Sequence, residues 1–453
     1  MADTPGLNKT GIVYPNDYTL INLTLLTSVS TFDVKNILVE LSYNEDIFNN
    51  TASGYLMLVD ATGYIEKLHM NGNEFIRMTF GKADDTTNIV DKIFRVFKVA
   101  KRTPENEGNT ETYSLYFCSE ELLLSEQYKV SKSYRGKDIA SNVVDILKTY
   151  LQVPTNKIAS IEQTYGVYDF LIPNIKPFDA INWMSTYARP ANNPGADMLL
   201  YEDKFGYNYR SLQSLFKQEV YNAYSFNPKN VSQKTQTNTQ QIYNVLTYEI
   251  MDSYDSLGAI NSGVYANQLL SIDPLLRRYK ITNFDYGSYS NKASKLNTFP
   301  ITNNFTNRKG DGLNQTPQAV YKLVFSNYNQ NDSSYIKSHP GSVAHDIFAE
   351  TYIPYRTAQL PLLNYTRVKI SVPGDPGLTV GRVIKFNLLS KDPNKKEPDD
   401  FYSGNYLVTA VRHMLTVHQY RTVLELAKES NTNEYSAVST GSSLWNNTVK
   451  GIT

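Results

Sequence analysis

The sequence predicts a mainly β protein with α+β elements. Two observations carry this. The chain holds 35 tyrosines against 19 phenylalanines and 2 tryptophans, and Tyr, with the plentiful Thr, suits the pleated, half-exposed surface of a sheet. Apolar residues also recur with period two between polar turns over most of the length, and only a few windows show a helical period. At roughly 150 residues per domain, 453 residues suggest about three domains, enough to bury a core without disulfide staples.

From Thr19 to Arg102 the segments read as strands. In "NEFIRMTFG", Ile76, Met78 and Phe80 share one face and Phe75, Arg77 and Thr79 the other. "VDKIFRVFKVAKR" and "ETYSLYFCSEE", separated by the polar "TPENEGNT", form the next pair. Five or more strands with regular turns predict a barrel or sandwich. The pattern then changes. Ile139, Val143, Ile146, Leu147 and Tyr150 mark one face of a helix. Phe178, Ile181, Met184 or Ser185, and Ala188 mark a second, with Pro177 near its start and Pro190 after its end. "ADMLLYEDKFGYNYR" resembles a hairpin.

Asn227 to Gln241 is a polar loop or linker, and Ser288 to Thr316 is a second polar insertion. Between them "YNVLTYEIMDSYDSLGAINSG" starts as a strand and passes into a helix, and "LLRRYKITNFDYG" is again strand-like. Further on, Val368, Ile370 and Val372 alternate with Arg367, Lys369 and Ser371 before the turn "PGDPG". Val380, Val383, Ile384 and Phe386 continue the next strand, and "GNYLVTAVRHMLTVHQYRTVLELAKE" gives two more around a tight turn. Beyond Ser430 a flexible tail is expected, with Trp445 as a candidate anchor.

Lys plus Arg and Asp plus Glu are 44 each, so the basic excess of a nucleic-acid grip is missing. The single Cys118 excludes an internal disulfide and a cysteine metal cluster, and its apolar surroundings predict a buried thiol. The N-terminal "MADTPGLNKTGIVYPND" has no basic segment followed by an apolar run, which argues against a secretory leader. No apolar run is long enough to span a membrane. Of the five histidines, His69, His339, His345, His413 and His418, the last two flank a predicted hairpin turn. Their spacing is not that of a helical zinc motif. Nucleophile elbows, phosphate loops and EF-hand loops are missing. Glu120–Glu121 and Asp399–Asp400 read as solvated loop charges. No catalytic, cofactor-binding or metal-binding residue is assigned, no interface residue either, and a non-enzymatic role is expected.

Three stretches, "SGYLMLVDATGYIEKLHMNGNEFIRMTF", "LIPNIKPFDAINWMSTYA" and "NYTRVKISVPGDPGLTVGRVIKFNLL" with its following hairpin, together with the weaker "SYDSLGAINSGVYANQLLSIDP", resemble in their order the central baseplate hub proteins of T-even-like contractile-tailed bacteriophages. Those are relatives of the base of type VI secretion spike proteins. The resemblance implies two related antiparallel β-barrels plus a mixed α/β domain in each subunit, assembled as a trimeric ring. Residues 1–119 would be the first barrel, 120–209 the mixed domain, 210–353 the second barrel with insertions, 354–430 strands packing back on the mixed domain, and 431–453 the tail. It further implies a homotrimer that adapts a six-fold tail tube above to a three-fold central spike below, among baseplate wedge proteins. DNA would pass through its channel without specific binding, which zero net charge suits. The expected location is the virion baseplate, assembled in the host cytoplasm, with no membrane insertion and no cofactor. The rivals are a glycan-binding or glycan-cleaving tailspike-like β-protein and the hub of a type VI-like secretion machine. No β-helix repeat or lysozyme-like block is visible, so separate spike and lytic subunits are expected.

Overall fold

A computed structural model describes residues 16–434 except 29, 65–66, 68–69, 84, 86, 106–109, 227–241, 274–276, 302–311, 313–320, 326–348 and 391–396. The polar linker at 227–241, residues 302–311 and 313–316 of the second insertion, Trp445 and the tail from 435, and His69, His339 and His345 lie outside the described residues.

The chain begins β1 (Tyr18–Leu26), β2 (Thr31–Asp33), β3 (Leu38–Asp46), β4 (Ser53–Asp60), β5 (Phe75–Lys82), β6 (Ile89–Glu105) and β7 (Thr110–Cys118). A mixed segment follows: α1 (Glu120–Gln127), β8 (Val130–Lys137), α2 (Ile139–Thr149), β9 (Ile158–Ile161), β10 (Tyr168–Ile175), α3 (Pro177–Ser185), β11 (Met198–Asp203), β12 (Gly206–Ser211) and α4 (Leu212–Phe216). Next come β13 (Val220–Phe226), β14 (Thr247–Ser253), α5 (Ser256–Ser262), β15 (Ala266–Asp273), β16 (Arg278–Asp285), α6 (Tyr286–Ser290), β17 (Phe299–Pro300), β18 (Tyr321–Phe325) and α7 (Ala349–Leu362). The last strands are β19 (Thr366–Pro373), β20 (Val383–Leu388), β21 (Gly404–Thr416), β22 (Tyr420–Lys428) and β23 (Ser430–Asn431).

The mainly β reading holds, but neither expected barrel closes among the described residues. Instead, 13 strands form one sheet, along the path β14-β19-β22-β21-β3-β4-β7-β6-β5-β1-β2, with β20 paired to β21 and β13 paired in parallel to β20. The reason lies at β3. One edge pairs with β4 and the other with β21, from Glu40↔Thr416 to Asp46↔Ala410. The hydrogen bonds that would close a first barrel are spent on joining a second group of strands. Among its described residues the region 210–353 likewise closes no barrel. It supplies β13 and β14 to this sheet and, separately, the three-stranded sheet β16-β15-β18 under α7.

Alternation fixes which face is buried. Leu41 and Tyr43 of β3 stand opposite Leu415 and His413 of β21, all buried, so the core face runs unbroken across the join. One half of the sheet buries Tyr18, Leu56, Phe80, Phe94 and Phe117. The other buries Val368, Ile370, Phe386, Val408 and Leu424. Around the join, the His413 ring stacks on Tyr43 at 5.7 Å and 11°, and Phe80 meets Tyr420 edge-on.

The mixed segment has its own core. The α2 positions Ile139, Val143, Ile146 and Leu147 are buried as the helical period requires, as are Phe178, Ile181 and Met184 of α3. Asp138 caps α2 by accepting the Ser141 N–H, and Pro177 opens α3. The helix α1 was legible only as a charged loop, and α7 was hidden by Pro354 and Pro361 within it.

Gly54 of β4 faces Tyr43 across the strand pair. A Cβ there would collide with the Ser42 carbonyl and the Phe117 ring. Gly54→Ala is therefore expected to destabilise the fold by about 1–3 kcal/mol, read as a lowered denaturation midpoint.

Candidate assembly face and the junctions behind it

The side of the sheet opposite the two cores is open to solvent along β14, β19, β22, β21, β3, β4 and β7. Its residues are the alternates of the core-facing ones: Glu249, Lys369, Glu425, Arg412, Tyr55 and Tyr116, with Ser42 fully buried beneath its neighbours. Opposite charges face each other across strands. Arg412 lies 3.4 Å from Glu40 and donates to the Tyr55 hydroxyl at 2.8 Å and Ser42 Oγ at 2.8 Å. Tyr55 in turn donates to Glu40 at 2.6 Å. Arg367 bridges Glu425 at 3.1 Å and Asp252 at 3.6 Å. Lys369 stands in register between Glu249 and Glu425. Three hollows of about 390, 480 and 580 Å³ run into one another along this face, sharing Lys369, Val423, Asp46, Ala410 and Glu425.

Behind the face, buried charges lock the units together. Glu202 of β11 is fully buried and accepts from the Ala52 N–H at 3.0 Å and from Ser119 Oγ. Lys92 of β6 approaches it at 3.5 Å and Lys157 at 3.3 Å. Lys92 also donates to the Asp203 carbonyl at 2.8 Å, and Lys157 to both oxygens of Glu121 at 2.7 and 2.8 Å. Burial pushes the Glu202 carboxyl up, but the two lysines and the two hydrogen bonds outweigh it and hold it below the usual carboxylate range.

A second lock is the turn "PGDPG". Its Asp375 accepts from the Tyr224 hydroxyl at 3.0 Å and from the Gly377 N–H at 2.9 Å. Lys204, at the β11–β12 turn, donates to Pro376 O at 2.9 Å and to Asn88 Oδ1 at 2.5 Å, so three parts of the chain meet there. Gly377 lies so close to Tyr221 and Asn88 that no Cβ fits. Glu45 of β3 accepts from the Val380 N–H at 3.0 Å and the Tyr43 hydroxyl at 2.7 Å. Burial, and then the nearby Asp203, push its carboxyl up to about 8.

The sequence-flagged residues fall as follows. His413 is fully buried in the core, its Nδ1 2.7 Å from the Tyr420 hydroxyl, and burial drives its pKa down to about 3. His418 lies in the β21–β22 turn, so the two share no site. Cys118 is buried as expected, and burial pushes its thiol up to about 12. Glu120 and Glu121 are not loop charges: they open α1, and Glu121 is buried against Lys157. Asp399 caps its own turn, accepting from the Phe401 and Tyr402 N–H groups. Among the described residues no group of three or more His, Cys, Asp or Glu could hold a metal ion. The junction residues Glu202, Lys92, Lys157 and Lys204 went unnoticed because nothing local distinguishes them from surface charges.

Glu202→Gln should cost about 3–5 kcal/mol, because Lys92 and Lys157 then lose a buried counter-charge; urea denaturation measures it. Glu45 acts in the opposite direction with pH. It binds its proton more tightly folded than unfolded, so its contribution is complete below about pH 4. That contribution is lost as the pH rises through about 8. Glu45→Gln is therefore expected to melt higher than the parent at pH 8 and 9, with the difference vanishing near pH 4, in a series of thermal melts.

No family model matches the chain. A probable baseplate hub protein, gp334, of Vibrio phage KVP40 is 22% identical over 409 residues, covering 88% of this chain and 92% of that protein. A tail protein from Neisseria meningitidis MC58 shares the fold with a TM-score of 0.52 at 9% identity, over 91% of this chain and 97% of that one. The 43 kDa tail protein of prophage MuSo2 from Shewanella oneidensis does so with a TM-score of 0.51 at 7% identity, over 90% and 98%. The resemblance read from the sequence is thereby borne out: over nearly nine-tenths of its length this chain is similar to a probable phage baseplate hub protein.

Proposed function

We propose that the chain is the structural hub of a contractile-tail baseplate, and that three copies form a ring joining a six-fold tail tube to a three-fold spike around a channel for DNA. The single sheet with two cored halves carries this reading. Each half buries its own apolar cluster on the same side of the sheet. One chain can then present two comparable wall segments, and three chains six. The first segment is residues 1–119. The second draws on β13, β14 and β19–β22, and the mixed segment 120–209 buttresses both through Glu202 and Lys204. The sheet's outer edges, β14 at one end and β2 with β1 at the other, suit head-to-tail ring closure.

The role is assembly without catalysis, in the virion baseplate after assembly in the host cytoplasm. The tail tube stands on one face, a separate spike subunit on the other, and wedge proteins surround the ring. The similarity to a probable hub protein supports this over a glycan-cleaving protein.

Immunogold labelling of intact particles tests the location. Label at the axial tip of the tail is expected. Label on fibres or lateral spikes, together with clearing of a capsular polysaccharide by the purified protein, would overturn it in favour of a tailspike-like enzyme.

A further inference from the structure

We infer that the turn after β14, from Met251 to Leu257, is an apolar and acidic knob that seats in the hollow beside Phe205 on a second copy of this chain. The inference rests on the ring reading and adds to it the surfaces that meet and the polarity of their contact.

The hollow, about 550 Å³, lies between the outer face of β5 and β6, α1 and the β11–β12 turn. Phe75, Ile93, Leu124 and Leu151 give it an apolar lining. Phe205 stands at its edge, 55% exposed, and Ile93 is 53% exposed. The acids on the rim are already matched, Asp91 with Arg77 at 3.1 Å and Glu120 with Arg95 at 3.3 Å. The cations beside Phe205 are not. Lys204 and Arg382 lie over its ring at 5.0 and 6.0 Å. Lys204 donates only to neutral oxygens, of Asn88 and Pro376, and Arg382 stacks on Tyr221 at 4.4 Å. The neighbouring carboxyls of Asp375 and Glu45 are turned to Tyr224 and the Val380 N–H. An aromatic, apolar centre with a positive corner left open calls for an apolar partner that carries negative charge.

The same chain carries such a partner. Met251, Tyr254 and Leu257 are exposed, the last by 71%, and the exposed Asp252 and Asp255 lie among them. Asp252 meets Arg367 only at 3.6 Å. The knob is rigid. Tyr254 is held at a φ of 70°, a left-handed conformation that costs a residue other than glycine, and its N–H donates to Tyr365 O at 2.8 Å. Asp255 caps α5 by accepting the Gly258 N–H at 2.8 Å. Side chains already held outward lose little freedom on docking.

Knob and hollow cannot meet within one chain. Tyr254 is tied to Tyr365 just before β19, and Lys204 to Pro376 just after it. The eight residues of β19 between them span about 25 Å. The contact is therefore between copies, with the knob of one in the hollow of the next, and such a head-to-tail contact closes a ring.

Sedimentation velocity of the full chain tests this. The parent should associate beyond a monomer. Leu257→Lys sets a cation against Lys204 and Arg382, and Phe205→Glu sets an anion against Asp252 and Asp255. Each alone should weaken association by about a hundredfold or more. Both in one chain oppose the new charges across the contact and should recover about tenfold of that loss, which a folding defect would not do. Leu171→Lys, at an equally exposed leucine on β10, should change nothing, and unchanged melting temperatures confirm folding throughout. A monomeric parent, parent-like association of either single variant, a further loss in the double variant, or an equal loss in the control would each overturn the inference. If the single variants still form rings, the contact is wrong and the hub stands. If the contact behaves as expected but immunogold label is missing from the tail tip, the hub reading falls and the contact stands.

Discussion

The pairing of β3 with β21 is the constraint on which the rest of the molecule depends. It joins strands from the two ends of the chain in register from Glu40↔Thr416 to Asp46↔Ala410, and it aligns the buried faces of both halves. Shifting the register by one residue would turn Tyr43 and Leu41 outward and drive Ser42 and Asn44 into the core. The aromatic cluster of Tyr43, Phe80, His413 and Tyr420 opposes such a shift, since each ring packs on a residue from another strand. Glu45 adds a polar check at the same place, because only this register brings it to the Val380 N–H.

The two kinds of charge do different work. Glu202, Lys92 and Glu121 are buried and Lys157 is half-buried, and their pairing repays a desolvation cost that unpaired charges could not meet. Their value is positional: four groups from β6, α1, β11 and the turn before β9 fit only when the mixed segment sits correctly on the first half of the sheet. The exposed pairs on the open face contribute little stability, as surface ion pairs generally do. A chain with equal numbers of acidic and basic residues can still build a strongly charged face by segregating them. Here cross-strand register mixes them instead.

Much of the local structure was legible. Period-two patterns placed β5, β19, β21 and β22 and named their buried residues, because a half-buried strand writes its two faces directly into sequence. The helical period did the same for α2 and α3. Closure was not legible. Alternation says which face is buried but not which strand an edge will meet, so the first half read as a barrel, although the edge of β3 is taken by β21. The partners β14 and β19 are separated by a whole inserted subdomain, which no local pattern can bridge. The open face was equally hidden, since Arg412 meets Glu40 and Arg367 meets Glu425 only once the strand order is known. The order of four patterned stretches, by contrast, sufficed to suggest the relationship later found to a phage hub protein.

Closure of three copies of this chain into a ring is the claim on which the proposed function rests most directly. Negative-stain electron microscopy of the purified protein, with class averages viewed down the particle axis, reads this in one experiment. A three-fold ring with a central hole and six peripheral lobes is the predicted result. A solid elongated rod with no hole would contradict it, because a sheet face buried along a rod cannot line a channel.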